Sequence, residues 1–196
     1  MMNKTNALSN LKNLDRIFKS FNVPYWLTDG TLLGYYRDGN FISHDQDTDL
    51  GIMFKDFSPS VLKEIQSNDF KIDHVFGYPC DCLEIAISRN GVKTDLFFYY
   101  ERFDNPDIIY HSAFLKAVNR IDYEYNKFKV KDANFLGHTF NVPENELEFI
   151  ETKYGVDWKI PDIKWNWAFS PRNHIKTNIV IDLLEQKRQW EKWLKL

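Results

Sequence analysis

The sequence predicts an α+β protein, a mixed central sheet flanked by helices, and three local patterns point to it. Ala7, Leu8, Leu11, Leu14, Phe18 and Phe21 recur at steps of three and four with Lys12, Asp15, Arg16 and Lys19 between them, the spacing of an amphipathic helix. Leu83 to Ser88 and Val92 to Tyr100 flank the pair Asn90-Gly91, which suits the tight turn of a β-hairpin. Asp45, Asp47 and Asp49 alternate in a run that ends in Leu50-Gly51, the period of an extended strand. A chain of 196 residues is close to the size of one domain, so residues 1–196 are expected to form a single unit ending in an amphipathic helix.

In chain order, the first helix covers about residues 7 to 20. Pro24 disfavours its continuation, and Val23 to Leu27 is a short apolar run suited to a buried strand. Gly30 ends that strand tightly, and Thr31 caps a short segment from Leu32 to Asp38. Asp38-Gly39 then turns the chain toward the acidic run. Ser58-Pro59-Ser60 ahead of Val61, Leu62 and Ile65 marks a capped helix. Asp95 falls inside the second hairpin strand. Phe128 to Lys131, Asn134 to Gly137 and His138 to Pro143 form another small β unit, after which Glu144 to Tyr154 reads as a helix with an acidic start, closed by Gly155. From Asn178 to Leu196, apolar Val180, Leu183, Leu184, Trp190, Trp193 and Leu194 alternate with Lys187, Arg188, Lys192 and Lys195. This predicts a helix docked on the domain, with a membrane-surface helix as the alternative.

Composition narrows the function. Six Trp, ten Tyr and sixteen Phe supply a core and a surplus able to line a cleft. A net charge of −3 argues against a broad grip on nucleic acid or anionic membrane, so a phosphate partner must be held locally. Met1 to Asn6 lacks an apolar signal core, and no apolar run approaches the roughly 18 residues of a spanning helix. The expectation is a cytoplasmic protein with membrane contact at most peripheral, at the inner membrane surface. Cys80 and Cys82 are too few for a thiolate zinc cage and too close for an unstrained disulfide, which leaves free thiols.

The acidic run carries the chemistry. Strands disfavour Asp, and carboxylates at alternate positions repel one another if they project together. A hard divalent cation relieves that repulsion while keeping positions open for water and substrate phosphate; a solvated acidic turn is the plainer alternative. Tyr25-Trp26-Leu27-Thr28-Asp29-Gly30-Thr31-Leu32-Leu33-Gly34-Tyr35-Tyr36-Arg37-Asp38-Gly39-Asn40-Phe41-Ile42, followed by His44 to Asp49, resembles the signature of the LicD and fukutin family. Tyr154-Gly155-Val156-Asp157-Trp158-Lys159-Ile160-Pro161 is similar to that family's downstream element, and Lys164 to Pro171 is similar to its fukutin branch.

The resemblance implies a nucleotidyltransferase-like fold. It also implies an enzyme that moves a phosphorylated small alcohol (ribitol, glycerol or choline phosphate) from a CDP-linked donor to a glycan or polysaccharide acceptor, releasing CMP. Carried over by position, Asp47 and Asp49 match the metal-binding pair and Asp45 the preceding acid; Asp95 is the expected third carboxylate, from strand order. The metal set is thus Asp47, Asp49 and Asp95, for Mg²⁺ or alternatively Mn²⁺, with Asp45, Asp47, Asp49 and Asp95 as catalytic residues. Donor-phosphate contacts are expected at Gly30, Thr31, Arg37 and Arg172. Plain turn geometry, an ion pair with Asp38 and surface solvation are their respective alternatives. Asp45 and Asp95 compete for the role of general base, while His44 is expected to be structural and His74, His111, His138 and His174 show no ligand spacing. Tyr154, Trp158, Trp165 and Trp167 suit either core packing or stacking on a base or sugar. Two other functions fit the same motifs: nucleotidyl transfer from an NTP with release of pyrophosphate, and a non-catalytic nucleotide- or glycan-binding module.

Overall fold

The computed structural model describes residues 2–196. Helix α1 (Lys4–Ser20) begins where Asn3 Oδ1 accepts a hydrogen bond from the Asn6 amide, and it buries Leu11, Leu14, Ile17 and Phe18. Strand β1 (Tyr25–Leu27), helix α2 (Asp29–Asp38) and strand β2 (Asp47–Met53) follow, then a single 3₁₀ turn (Phe54–Asp56) and helix α3 (Pro59–Ser67). Strands β3 (Lys71–Phe76), β4 (Glu84–Arg89), β5 (Val92–Glu101), β6 (Ile108–Leu115) and β7 (Asn119–Asn126) come next. The chain closes with β8 (Val130–Phe135), β9 (His138–Pro143), α4 (Glu146–Tyr154), β10 (His174–Val180) and α5 (Leu183–Trp193).

Strand β5 organises the sheet. It pairs in parallel with β2 and antiparallel with β4, and its last residues, Tyr100 and Glu101, leave those partners to pair with Tyr110 and Ile109 of β6. The resulting order is β1-β2-β5-β6-β7-β10, with β4 and β3 branching from β5. Among the described residues only the β2–β5 pair is parallel, so the sheet is mixed as expected. Strand β5 lies between β2 and β4, and its residues from Thr94 to Tyr100 are continuously buried.

The β8–β9 hairpin forms a separate two-stranded sheet against β1. A buried cluster ties it to α1: the Asp15 carboxylate accepts from the Tyr25 hydroxyl at 2.5 Å, sits 2.9 Å from His138 Nε2 and pairs with Lys19 at 2.8 Å.

Helix α2 starts earlier than the sequence suggests. Thr28, not Thr31, occupies the capping position, and Asp29 opens the helix with a left-handed φ of 46°. Gly30 therefore lies in the first turn of α2 and does not terminate β1. Strand β2 begins at Asp47, so Asp45 lies in the loop before it. The Asn90-Gly91 hairpin forms as expected, both residues having positive φ (53° and 72°). Strands β3, β6, β7 and β10 had no clear local signal. Lys116 and Ala117 close the β6–β7 hairpin with φ of 52° and 64°, a conformation that side chains of this kind rarely announce. Helix α5 begins at Leu183, where Asp182 Oδ1 accepts from the Leu184 and Glu185 amides, and the preceding residues form β10 instead. It docks through Trp193, stacked on Phe57 with ring centroids 6.0 Å apart. No helix among the described residues is long and apolar enough to cross a membrane.

Burial works against the Asp15 charge, but hydrogen bonds from Lys19, Tyr25 and His138 outweigh it and hold the carboxyl below its usual range. Asp15→Asn is expected to lose about 2 kcal/mol of stability at neutral pH in urea denaturation. A depressed folded-state pKa means that this contribution is present above the ordinary value of 3.8 and fades as pH falls through the lower folded value. The wild-type advantage over Asp15→Asn should therefore shrink in acid, and an advantage that is flat with pH would refute the ionised role of Asp15.

Candidate functional site

In the parallel β2–β5 pair Asp47 is in register with Lys93 and Asp49 with Asp95. Residues in register share a face, as do residues two apart, so these four side chains meet on one side of the sheet. That side is the floor of a cleft of about 1180 Å³. Lys93 Nζ bridges two of the acids, 3.1 Å from Asp47 Oδ2 and 2.8 Å from Asp95 Oδ2. The other Asp95 oxygen, Oδ1, is buried and has no hydrogen-bond partner among the described residues.

The turn into α2 brings in the remaining acids. Thr31 clamps Asp49: its amide donates to Asp49 Oδ2 at 3.1 Å, and its hydroxyl accepts from the Asp49 amide at 2.8 Å. The Thr31 amide is thus spent on the acidic strand, a correction to its expected place on a donor phosphate. Gly30 is required for close approach, but by protein carboxylates: a Cβ there would lie 2.7 Å from Asp45 Oδ2 and 3.3 Å from Asp49 Oδ2. Through this contact Asp45 joins the cluster although it is not part of the strand. Asp29, 8% exposed, forms an ion pair with Lys153 of α4, itself 7% exposed.

Charge repulsion is visible in the proton affinities. Burial first, then Asp47, Asp29, Asp95 and Asp45, raise the Asp49 pKa well above the normal carboxylate range. Burial and the neighbouring Asp47 lift Asp45 to about 6. Asp95 is raised by burial in spite of Lys93, and Glu84, which lines the same cleft, is raised well above normal by burial and by Asp95.

An excess of buried carboxylate with an orphaned Asp95 oxygen is a donor set that fits a hard cation. The three expected ligands do not converge as a preassembled cage among the described residues, because Lys93 stands between Asp47 and Asp95. The arrangement suits an ion taken by one or two carboxylates whose remaining positions go to phosphate and water, the usual habit of Mg²⁺.

The opposite wall comes from α4 and the segment after it. Tyr154, Trp158, Trp165 and Trp167 all line the cleft, Trp158 nearly buried against Tyr36, Trp165 packed on Tyr154 and Trp167 about half exposed. Arg37 and Arg172 line it as well. Arg37 is also held in a two-pronged pair with Asp38, at 2.9 and 3.0 Å, so its expected alternative is realised at the edge of the cleft. His44 is exposed and lines the cleft beside Asp45.

A family model described as LicD/FKTN/FKRP, nucleotidyltransferase domain, matches residues 22–145, which contain the α2 turn, β2 and β5. The chain belongs to this LicD/FKTN/FKRP family. Ribitol-5-phosphate transferase FKTN of Homo sapiens is 35% identical over 159 residues, covering 81% of this chain and 34% of that protein. Its Mus musculus counterpart is 34% identical over the same shares. Ribitol 5-phosphate transferase FKRP of Homo sapiens is 25% identical over 146 residues, 71% of this chain and 29% of that one. The chain therefore spans about a third of the length of these curated relatives. A solution structure of the antibiotic-resistance factor ANT(2'')-Ia superposes with a TM-score of 0.52 at 13% identity, covering 84% of this chain and 78% of that one, a likeness of fold.

Within this LicD-family domain, Asp45, Asp47, Asp49 and Asp95 lie together, Gly30 stands beside Asp45 and Asp49 where a donor phosphate was expected, and Arg37 and Arg172 line the same cleft. Sequence reasoning missed Asp29, Glu84, Lys93, Lys153 and His111. Lys93 and Asp29 lay within reach of it, one at period two from Asp95 and the other inside the quoted motif. Lys153 belongs to a helix that only the fold brings over the sheet.

A raised folded-state pKa on an acid makes the fold lose stability as pH rises above the unfolded value. In chelator-treated protein at neutral pH, Asp49→Asn is therefore expected to raise the melting temperature, because the amide still accepts from Thr31 and carries no charge. The difference should vanish toward pH 3. A drop in melting temperature at neutral pH would contradict the repulsion described above.

Proposed function

We propose that this chain is the catalytic domain of a metal-dependent phosphotransferase, moving a phosphorylated small alcohol from a CDP-linked donor to a hydroxyl of a glycan acceptor. The observation that carries the reading is the gathering of Asp45, Asp47, Asp49 and Asp95 at the bottom of a cleft with two arginines along its walls, with Gly30 leaving room for Asp45 and Asp49 to approach. Relatives named as ribitol-5-phosphate transferases favour ribitol phosphate as the group moved, with glycerol and choline phosphate as the other candidates.

Mg²⁺ or Mn²⁺, held by Asp47 and Asp49 with Asp95 beside them, would neutralise charge on the donor pyrophosphate. The residues of the chain then divide the remaining work. Lys93 keeps Asp47 and Asp95 in place against their mutual repulsion. Thr31 fixes the Asp49 carboxylate, and Gly30 lets Asp45 approach it. Asp95 Oδ2 is committed to Lys93, which leaves Asp45 as the better placed base for the acceptor proton. The acceptor oxygen attacks the distal phosphorus in line, the bond to the bridging pyrophosphate oxygen breaks, and CMP leaves with that oxygen. Arg37 and Arg172, which line the cleft, would hold donor phosphate, and Tyr154 and Trp165 would cover a base or sugar ring.

Calorimetric titration with CDP-ribitol, CDP-glycerol and CDP-choline, with and without Mg²⁺, followed by product analysis, tests the proposal. Metal-dependent binding of at least one donor and CMP as product are expected. Pyrophosphate release from an NTP, or no metal-dependent binding of any CDP compound, would overturn it.

Asp47→Asn and Asp49→Asn should abolish turnover without unfolding the protein. Asp45→Asn should slow it by about 10² to 10⁴, the usual range for loss of a general base. Gly30→Ala should reduce kcat by roughly 10²-fold through displacement of Asp45, while the melting temperature changes little. Wild-type turnover in Gly30→Ala would show that the close approach of Asp45 is unimportant.

A further inference from the structure

Beyond Asp95 the floor of the cleft changes character. Phe97 is the next residue of β5 on that face, Glu84 stands in register with it on β4, and the His111 ring lies 4.8 Å from the Phe97 ring on the β6 side. His111 contributes to the cleft lining and is otherwise buried, 1% exposed. Neither of its ring nitrogens has a hydrogen-bond partner among the described residues. Burial, with a further push from Lys153, lowers its pKa to about 3, so the ring is neutral and brings one donor and one acceptor. Glu84, half-buried, lines the cleft beside it and offers carboxyl oxygens to the same space. Buried nitrogens are ordinarily satisfied, and the two orphaned ones of His111, with the Glu84 carboxyl on the other side of the Phe97 ring, call for a ligand that supplies both donors and acceptors.

We infer that Glu84 and His111 form a subsite that reads the hydroxyl groups of a neutral polyol, the alditol of the transferred group. The inference rests on the phosphotransferase reading above and sharpens its choice of donor. Vicinal hydroxyls both donate and accept, which matches a neutral imidazole and a carboxyl, and the carbon edge of an alditol packs on the Phe97 ring between them. A quaternary ammonium is poorly served here. It neither donates nor accepts a hydrogen bond and would leave both His111 nitrogens unsatisfied, and the Tyr123 ring, in register with His111, already carries the Lys153 ammonium 5.0 Å from its centroid. Lys153 in turn is fixed by Asp29, so it cannot move aside without leaving a buried carboxylate unpaired.

The test compares Kd values for CMP, CDP-glycerol, CDP-ribitol and CDP-choline in the presence of Mg²⁺. CMP lacks the alcohol and reports the nucleotide site and the fold. In the wild type, the CDP-alditols should bind more tightly than CDP-choline. His111→Phe, which keeps the aromatic floor and removes both nitrogens, should weaken CDP-ribitol about tenfold or more while CMP affinity stays unchanged. Glu84→Met should do the same, and Glu84→Gln, which can still hydrogen-bond, should retain most of the affinity; this pair decides the matter if His111→Phe does not fold. Equal losses for CMP and CDP-ribitol, unchanged CDP-ribitol affinity in both His111→Phe and Glu84→Met, or a wild-type preference for CDP-choline would each overturn the subsite while leaving the phosphotransferase reading standing. Failure of the wild type to bind any of the four compounds would overturn both.

Discussion

Carboxylates repel, and four of them are held on or beside one pair of parallel strands in this protein. The register of β2 on β5 places Asp47, Asp49 and Asp95 on the same face, and the missing side chain of Gly30 lets Asp45 close in from the loop before the strand. Every other feature of the cleft answers to that constraint. Lys93 is the positive charge supplied by the strands themselves, Thr31 holds Asp49 with two hydrogen bonds, and the uncompensated remainder appears as raised proton affinities and an orphaned Asp95 oxygen. A site under this electrostatic load is unfavourable to folding and useful to a reaction that brings cation and phosphate together.

The load is carried by a scaffold stiff enough to bear it. Strand β5 is buried along most of its length and belongs to two successive pairings, so its acidic face cannot shift without disturbing both halves of the sheet. The α2 turn is fixed from the other side by the buried pair of Lys153 and Asp29, whose left-handed backbone sets the first turn of the helix. Removing either partner would strand a charge in the interior, which is more costly than the pair itself is stabilising. Outside the cleft lining, the Asp15 cluster does a related job by joining α1, β1 and the β8–β9 hairpin.

Membership of the LicD/FKTN/FKRP family accounts for the acidic face, which lies inside the matched residues 22–145. The roof does not come from the matched region. Lys153, Tyr154, Trp165, Trp167 and Arg172 follow it in sequence, and they convert an acidic strand pair into an enclosed cleft. Shape and polarity of the ligand space are therefore set largely by residues that follow the stretch matched by the family model, together with β6 and β7 within it, which supply His111 and Tyr123.

Local pattern was enough to find the amphipathic first helix, the Asn90-Gly91 hairpin and the acidic run, because each is written in residues close together and governed by helix period, turn geometry or strand alternation. The same holds for Asp45, Asp47 and Asp49, and for Gly30 as a point of close approach. Strands β6, β7 and β10 escaped, since Lys116 and Ala117, which close the β6–β7 hairpin, carry no turn signature and the pairing of β10 with β7 is long-range. Pairing across the sheet, and not sequence spacing, decided that Lys93 would sit between two aspartates and that Thr31 would serve Asp49 and not a phosphate. It also put a lysine from α4 against Asp29 and left His111 unsatisfied in the cleft floor. Those partnerships depend on distances between residues tens of positions apart, which alternation and periodicity within a segment do not encode and only the folded arrangement of strands and helices fixes.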